Sequence, residues 1–399
     1  MYDTLIVGGG VAGLTVAGEL ARRGERVLLL DKWGIWGGRV WTERTHGLTY
    51  ESGAGRIFNT HKRVNALVTR YGLKTYPITT DSDWEDRSPN PFNDLFEPLR
   101  AALSTLSAKD LATHTIAELL PKALLPTLDL FPYRSEFFLL RADEALRFFT
   151  PSNTMGAEGS AYYGVVGGLD QIPKGLARDA QKAGAVLRHN TTVTDVKRLA
   201  EDLFEIQATT NDTPHTHKAR RVILATCRCS LSDFKILAGH PILKQTGTGA
   251  LSRIYAVYPP NPDGRVWFEG LPKVVTRNPL RYVIPIDAKK GLIMISYTDG
   301  DDTEHWKGLK DEALQKEIQR CARELFPDRA IPEPTYLKQH RWGGGCTYWL
   351  PGNYAVKDAI KAAMNPGPNL YIVGESIAEE QCWIESALSS AETLLHLLK

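Results

Sequence analysis

Cysteine is scarce in this chain of 399 residues, with only five in all. Cys227, Cys229, Cys321, Cys346 and Cys382 are odd in number and irregular in spacing, which argues against a disulfide framework. Cys227-Arg228-Cys229 is too tight for the usual zinc pair, and no metal site is expected. A reducing, cytoplasmic setting follows from this usage. An excess of one charge is lacking as well, with 48 Lys and Arg against 46 Asp and Glu. Without a basic field, nothing points to nucleic acid. No stretch reaches about 18 uninterrupted apolar residues, so no membrane span is expected. The first apolar run, Leu5 to Val7, leads straight into glycines, with no basic region before it and no cleavage site after it, so no secretory leader is expected. Internal repeats and low-complexity segments are absent.

What is present is ordinary globular composition, 43% hydrophobic and 24% charged. The length suits two or three domains, or one domain with insertions, and suffices to bury a cofactor. Thr4 to Val7 is a short apolar run broken by Gly8-Gly9-Gly10. A helical pattern follows at Val11, Leu14, Val16, Ala17, Leu20 and Ala21, and Gly24 ends it. Val27 to Leu30 is a second apolar run, closed by Asp31. This is strand, turn, helix, turn, strand, the opening of a doubly wound sheet.

Gly8, Gly10 and Gly13 form G-x-G-x-x-G between the first strand and the helix. The first glycine permits the tight turn, the second lets backbone approach a pyrophosphate, and the third lets helix pack close to strand. The helix N-terminus offers unpaired N–H groups to phosphate. Asp31 ends the second strand, where a carboxylate can accept bonds from a ribose diol. An alternative is a plain glycine-rich turn in an α/β protein.

Further along, Asp81 to Asn93 reads as a polar surface loop. Leu99 to Leu125 and Arg134 to Phe149 carry helical patterns. Gly167-Gly168-Leu169 opens a helix that ends near Gly184. Val186 to Leu203, Phe204 to Ala208 and Val222 to Ala225 read as strands. Ile254 to Val257, Tyr282 to Ile286 and Leu292 to Tyr297 have the texture of an open sheet. Asp311 to Leu325 is an amphipathic helix, Asn369 to Val373 a last buried strand, and Ile384 to Leu398 a last helix.

Six residues after Asp31 comes Gly37-Gly38-Arg39-Val40-Trp41-Thr42, a second glycine pair suited to another phosphate-facing turn. Asp31, this run and Thr42 resemble the E-x6-GGR-x-x-T pattern of amine oxidase superfamily flavoproteins, with Asp for Glu and a gap shorter by one residue. Glu51-Ser52-Gly53-Ala54-Gly55-Arg56 with His61 resembles the family segment beside the flavin ring. Gly167-Gly168-Leu169 with Ile172-Pro173, and Thr192-Val193, resemble later family motifs, the valine being one whose backbone meets adenine. Gly374-Glu375 and Gln381-Cys382-Trp383-Ile384-Glu385 resemble the closing motif, except that the family has glycine where Cys382 and Ser386 stand. The resemblance implies FAD. It assigns cofactor contacts to Gly8, Gly10, Val11, Ala12, Gly13, Asp31, Lys32, Gly37, Gly38, Arg39, Gly53, Ala54, Gly55, Arg56, Val193, Gly374, Glu375, Trp383 and Ile384.

The same resemblance suggests substrate contacts. In the L-amino-acid oxidases of this superfamily, the residue matching Arg56 grips the substrate carboxylate, and a guanidinium offers a planar, bidentate match to that group. The alternative for Arg56 is pairing with a protein carboxylate or a flavin phosphate. Arg277-Asn278-Pro279-Leu280-Arg281 and Ser296-Tyr297-Thr298-Asp299 resemble a segment of tryptophan-oxidising members, where the matching tyrosine helps hold the carboxylate. That makes Tyr297 a second ligand, or else plain sheet packing. Arg253 falls at an active-site lysine of those members, able to bind or orient but a poor general base. Lys273 is the candidate for a lysine near flavin N5, against the alternative of an exposed strand lysine. Trp383 matches an aromatic facing the flavin, and one of Trp342, Tyr348 and Trp349 would form the opposite wall, or these are core. Gly344-Gly345-Cys346 resembles a motif whose cysteine bonds the flavin covalently. A non-covalent cofactor is expected here, with a link through Cys346 the lesser alternative.

The expected fold class is therefore α/β with an α+β substrate part. A Rossmann-like, discontinuous FAD-binding domain comprises 1–75, 163–245 and 362–399, and a substrate-binding domain of mixed sheet and helices comprises 76–162 and 246–361, with a helical part at 95–150. The resemblance implies an FAD-dependent L-amino-acid oxidase: hydride passes from the α-carbon to flavin N5, oxygen becomes hydrogen peroxide, and the imino acid hydrolyses to 2-oxo acid and ammonia. Large apolar or aromatic L-amino acids are favoured. Cationic substrates stay open, with Asp81, Asp83, Glu85 and Asp86 expected on an entry loop. The alternatives are a monoamine or polyamine oxidase, or a flavin-binding protein or dehydrogenase without oxidase activity. A homodimer is expected on resemblance alone.

Overall fold

The computed structural model of the chain describes every residue except 80–81, 85–90 and 150–160. The chain forms two compact units. One comprises Met1–Ile78, Ala161–Thr248 and Tyr354–Lys399, the other Thr79–Ser160 and Gly249–Asn353.

The first unit is α/β and built on a seven-stranded sheet. Tyr2–Val7 pairs in parallel with Val27–Leu30 on one side and with the end of Thr213–Leu224 on the other. Val186–Arg188 and Leu370–Ile372 extend these parallel pairings. Val27-Leu28-Leu29-Leu30 is wholly buried, as suits a parallel strand covered on both faces. Each of those side chains contributes about 1.5–3 kcal/mol by leaving water. The helix Val11–Arg22 buries its apolar stripe against the sheet and against Gln171–Lys182 and Ile384–Leu397. The helix stops at Gly24, whose φ of 88° turns the chain while its N–H donates to the Ala21 carbonyl.

The same sheet continues as an antiparallel meander of Thr191–Ala200, Leu203–Thr210 and Thr213–Leu224. Here the structure corrects two expectations. The run from Val186 is two strands, broken at Asn190, which takes φ 50°. The strand ending at Leu224 begins at Thr213, far earlier than its apolar signal, because its first half is exposed and polar and is held by backbone pairing to Leu203–Thr210. Cys227 and Cys229 are joined in a single local disulfide rather than a framework. The extended cap residue Cys227 and the helical turn Arg228–Leu231 fold the chain back on itself there.

The second unit carries a six-stranded sheet in the order Tyr336–Trp349, Thr246–Val257, Leu292–Asp299, Tyr282–Asp287, Lys273–Val275 and Ser82–Trp84. The Ser82–Trp84 strand is a parallel edge, and it replaces part of the loop expected from Asp81 to Asn93. Trp84 explains the difference: it is buried and packs edge-on against Phe92 and Phe131. Asp311–Leu325 is an amphipathic helix whose Leu314, Ile318, Cys321 and Ala322 pack with Ile254, Val283, Ile293, Ile295 and Trp306.

The two long helices expected between 99 and 149 are shorter pieces: Phe92–Leu103, Ala108–Thr113, Ile116–Leu119, Arg134–Phe138 and Ala142–Phe148. Local capping divides them. The Ser107 hydroxyl accepts from Asp110 N–H, and Thr115 with Glu118 forms a capping box. Phe92, Phe96, Phe131, Phe137 and Phe149 fill the centre of this part with stacked and edge-on rings. Among the described residues, no helix is long and apolar enough to cross a membrane.

Candidate cofactor and substrate sites

In the first unit, the strand Tyr2–Val7 ends in a turn that passes through Gly8 at φ 112° into the helix beginning at Val11. A Cβ on Gly8 would lie 2.5 Å from the Ala225 carbonyl oxygen, and one on Gly13 would collide with the Gly8 carbonyl. Gly10 differs. Its φ is an ordinary −71°, and a Cβ there would meet no atom within 4 Å. Gly10 caps the helix with no side-chain bond, leaving the first-turn amides around Val11, Ala12 and Gly13 without a capping side chain. Space beside Gly10 and uncapped amides together suit a phosphate.

The second glycine pair packs on the first. Gly37 N–H donates to the Gly9 carbonyl at 2.9 Å, and Gly37 bridges Gly10 as in a parallel sheet. Asp31 is buried. One of its carboxylate oxygens accepts Gly9 N–H at 2.5 Å, the other Trp33 N–H at 2.7 Å, and each keeps a lone pair. Burial raises its pKa, while those two bonds and the nearby His189 and Lys32 oppose the rise. Lys32 is exposed, with its Nζ 5.3 Å from the Trp33 ring centre. Trp36 stacks on His189 at 3.6 Å.

Three distant stretches converge on Arg39. Its guanidinium pairs with the buried Glu375 carboxylate at 2.6 Å. Its carbonyl accepts Ala54 N–H at 2.9 Å, and a Cβ on Gly53 would strike that same carbonyl. Glu375 also accepts Cys382 N–H at 3.1 Å. Cys382 takes φ 74°, a left-handed conformation that is strained for a residue with a side chain and unstrained for glycine. Ser386 fits without such strain inside the helix Ile384–Leu397, its hydroxyl donating to the Glu380 carbonyl. Val193 sits where the strand Thr191–Ala200 bulges, opposite Ala208.

Thr42 and Glu51 have a structural task. Thr42 Oγ1 donates to Glu51 at 2.7 Å, Glu51 accepts Leu169 N–H at 2.7 Å, and Thr42 Oγ1 accepts Asp170 N–H at 3.2 Å. These bonds tie the Gly167-Gly168-Leu169 turn to the hairpin Thr42–Thr45 and Leu48–Glu51. Glu385 caps another helix, accepting the N–H groups of Arg63 and Val64.

Two buried hydroxyls add to the fit for FAD. The hydroxyls of Thr226 and Ser376 are buried without a hydrogen-bond partner. Thr226 follows the C-terminal end of Thr213–Leu224, and Ser376 lies in the turn after Leu370–Ile372. Both are at the carboxyl edge of the parallel strands, where nucleotides bind in open α/β sheets. Orphaned hydroxyls, uncapped amides, space at Gly10 and spare Asp31 lone pairs all fit a dinucleotide. Thr226 belongs to no motif and is marked only by its strand-end position, while Ser376 directly follows the Gly374-Glu375 motif.

Arg56 stands among aromatic rings. Its guanidinium carbon is 4.7 Å from the Tyr162 ring centre and 5.8 Å from that of Trp383. Trp383 meets Phe58 and His61 edge-on, each at 5.0 Å. Phe58 N–H donates to His61 Nδ1 at 3.3 Å. Burial brings the His61 imidazole down to about 4, so it is neutral at physiological pH and adds no second charge. Tyr162 and Phe58 were not foreseen. They carry no motif and reach this place through the pairing of Ile57–Phe58 with Tyr162–Val165.

The second unit holds the remaining candidates. Arg253 is the cross-strand partner of Tyr297, its guanidinium 5.0 Å from the ring. Tyr297 stacks on Tyr282 at 5.5 Å, and Lys273 Nζ lies 4.3 Å from the Tyr282 ring. Arg253, Tyr297, Tyr282 and Lys273 thus form one row. Lys273 is buried, not an exposed strand lysine. Tyr348 is buried and its hydroxyl donates to Glu136 at 3.1 Å; Trp349 is core, and Trp342 is half-buried. Cys346 is a half-buried thiol on the same strand. Arg281 is structural, donating to the carbonyls of Asp129 and Phe131 and pairing with Asp302. Asp83 lies in the edge strand, while Asp81, Glu85 and Asp86 fall outside the described residues.

A buried acid pair was missed altogether. Asp299 accepts from Ser135 N–H at 2.7 Å and from its hydroxyl at 2.8 Å, and Glu136 lies beside it. Burial first, then the Asp299 charge, pushes Glu136 well above the carboxylate range, and burial brings Asp299 to about 6. No spacing rule relates residues so far apart in sequence.

Nicotine dehydrogenase of Pseudomonas putida is 36% identical over 102 residues, 23% of this chain and 21% of that protein. (S)-6-hydroxynicotine oxidase of Paenarthrobacter nicotinovorans is 32% identical over 121 residues, 29% of this chain and 28% of that protein. The matched regions thus span about a quarter of the length of these curated relatives. Cyclohexylamine oxidase from Brevibacterium oxydans shares the fold at a TM-score of 0.76 and 17% identity, over 100% of this chain and 99% of that one. Putrescine oxidase does so at 0.74 and 18%, over 100% and 99%. The family model for flavin-containing amine oxidoreductases matches residues 11–150 and 133–393. With a dinucleotide fold, a site that fits FAD and a match over most of its length, the chain belongs to the flavin-containing amine oxidoreductase family, with FAD as its cofactor.

Proposed function

We propose that this protein is an FAD-dependent L-amino-acid oxidase. The observation that carries the reading is Arg56, a guanidinium held between the Tyr162 and Trp383 rings with a neutral His61 nearby. A fixed cation beside the reacting centre repels a substrate ammonium and attracts a carboxylate. A substrate with both groups is oriented by that contrast. FAD, when bound, would supply the acceptor for a hydride from the amino-bearing carbon.

Gly8 to Gly13, Asp31, Gly37 to Arg39, Gly53 to Arg56, Val193, and Gly374 with Glu375, Thr226 and Ser376 are the residues proposed to hold the cofactor. Arg56 binds the carboxylate, and Trp383 positions the side chain. Reaction needs a neutral amine, and the substrate sheds its ammonium proton before or during oxidation. Arg253 orients rather than acts as base, because a guanidinium keeps its proton. The protein's share is thus orientation and electrostatics.

A second reading is favoured by the relatives, which are named for nicotine, 6-hydroxynicotine, cyclohexylamine and putrescine. In it, the substrate is an amine without a carboxylate and Arg56 is structural. The experiment is peroxide release with the twenty L-amino acids beside cyclohexylamine, putrescine and nicotine, paired with anaerobic flavin bleaching. Peroxide from L-amino acids alone supports the first reading. Peroxide from amines alone overturns it, and bleaching without peroxide identifies a dehydrogenase.

A further inference from the structure

The helix Asp311–Leu325 places Glu317 and Cys321 four residues apart on one face. The 3-10 segment Gly300–Trp306 brings His305 across to them. His305 Nε2 is 2.8 Å from Glu317 Oε1, and the Cys321 thiol donates to that same oxygen at 3.5 Å. The three potential ligand atoms all lie within 4.8 Å of one another.

We propose that His305, Glu317 and Cys321 form a binding site for a zinc-like divalent cation. One imidazole nitrogen, one carboxylate oxygen and one thiolate make a borderline-soft donor set, matched to Zn²⁺ and poorly to Mg²⁺ or Ca²⁺. Bonds of about 2.0 Å to nitrogen and about 2.3 Å to sulfur separate tetrahedral donors by roughly 3.3–3.6 Å. The sulfur-to-carboxylate distance of 3.5 Å already meets this. His305 has to withdraw slightly from Glu317, and being exposed it is able to. Cys321 is the rigid ligand, buried in the core among Ile318 and Ala322. A surface pocket lined by His305, Leu309, Ala313, Lys316, Glu317 and Arg320 leaves the fourth position to water.

Arg320 now supplies the positive charge at this place. Its Nη2 is 2.8 Å from Glu317 Oε1 and 3.2 Å from the Cys321 sulfur, and its Nε is 2.9 Å from Glu317 Oε2. Its Nη1 holds Glu324 at 2.8 Å. Displaced by a cation, the guanidinium keeps that second carboxylate. Binding releases the Cys321 thiol proton to solvent and changes no oxidation state. The segment Gly300–Trp306 follows directly on the strand that carries Tyr297, so the cation would staple that strand's end to the helix.

The test uses flavin-loaded protein stripped with a chelator and titrated with Co²⁺, read as a difference spectrum against the cobalt-free sample. We expect about one equivalent to bind with a thiolate-to-cobalt charge-transfer band and tetrahedral visible bands. C321S and H305A should abolish them, and C346S should keep them. Zinc retained after desalting should follow the same pattern. Absence of the band in the unmodified protein, or its survival in C321S, overturns the proposal. His305 is exposed, so H305A gives a folded control where C321S fails to accumulate.

Discussion

The Arg56 guanidinium carbon lies 4.7 Å from the centre of the Tyr162 ring, in an aromatic group that Trp383, Phe58 and His61 complete. A charge-assisted contact to a carboxylate contributes about 1.5–3 kcal/mol. Arg56→Ala should therefore raise KM for L-amino acids about 10- to 100-fold, with much smaller effects on amines lacking a carboxylate. Arg56→Lys should restore part of the loss, since it keeps charge but not the planar fork. Steady-state kinetics on paired substrates decide it. Equal losses on both classes would mean that the guanidinium only packs against its rings.

Gly10 and Gly13 should separate cofactor binding from folding. Gly10→Ala has an unstrained backbone and open space around its methyl group, so it should fold and melt normally as apoprotein yet carry less flavin. Gly13→Ala should lose both, because its methyl group meets the Gly8 carbonyl. Flavin-to-protein absorbance ratios and circular dichroism give the two readouts. Full flavin loading in Gly10→Ala would remove the phosphate from that space.

Cys382→Gly should stabilise the protein. A non-glycine residue at φ 74° carries about 1 kcal/mol of backbone strain or more, which glycine relieves. Chemical denaturation should show a higher midpoint with an unchanged slope. A lower midpoint would mean that packing of the thiol outweighs the strain.

Glu136 and Asp299 predict an alkaline weakness. Both pKa values are raised in the folded state by burial, that of Asp299 to about 6. Raised carboxyl pKa values mean that the folded protein holds protons the unfolded chain releases. Their contribution is complete below about pH 4 and is lost as pH rises through 6 and beyond. Glu136→Gln keeps a neutral partner for Asp299 and Tyr348 at every pH. Its melting temperature relative to the unsubstituted protein should rise between pH 5 and pH 9, and a pH-independent difference would falsify this account.

Legibility follows the range over which each signal acts. The helix Asp311–Leu325 is apparent to the residue because its apolar period is local and uninterrupted. The opening strand, helix and strand are apparent for the same reason. The polar half of Thr213–Leu224 is not, because its pairing with Leu203–Thr210 supplies no hydrophobic pattern. Among the aromatics near Gly343, composition does not distinguish Tyr348, whose hydroxyl turns inward to Glu136, from the half-buried Trp342. The φ of Cys382 is not apparent either, because a cysteine carries no local signal for a left-handed backbone.

By itself the sequence determined a dinucleotide turn, because glycine turns, strand ends and a terminal acid act through backbone geometry that a few consecutive residues dictate, and its resemblance to family motifs implied FAD. Only the tertiary structure decided which side chains meet. Arg39 reaches Glu375 because strand order carries the chain's two ends to the same sheet edge. Arg253, Tyr297, Tyr282 and Lys273 stand in one row because register belongs to pairs of strands and to no strand alone.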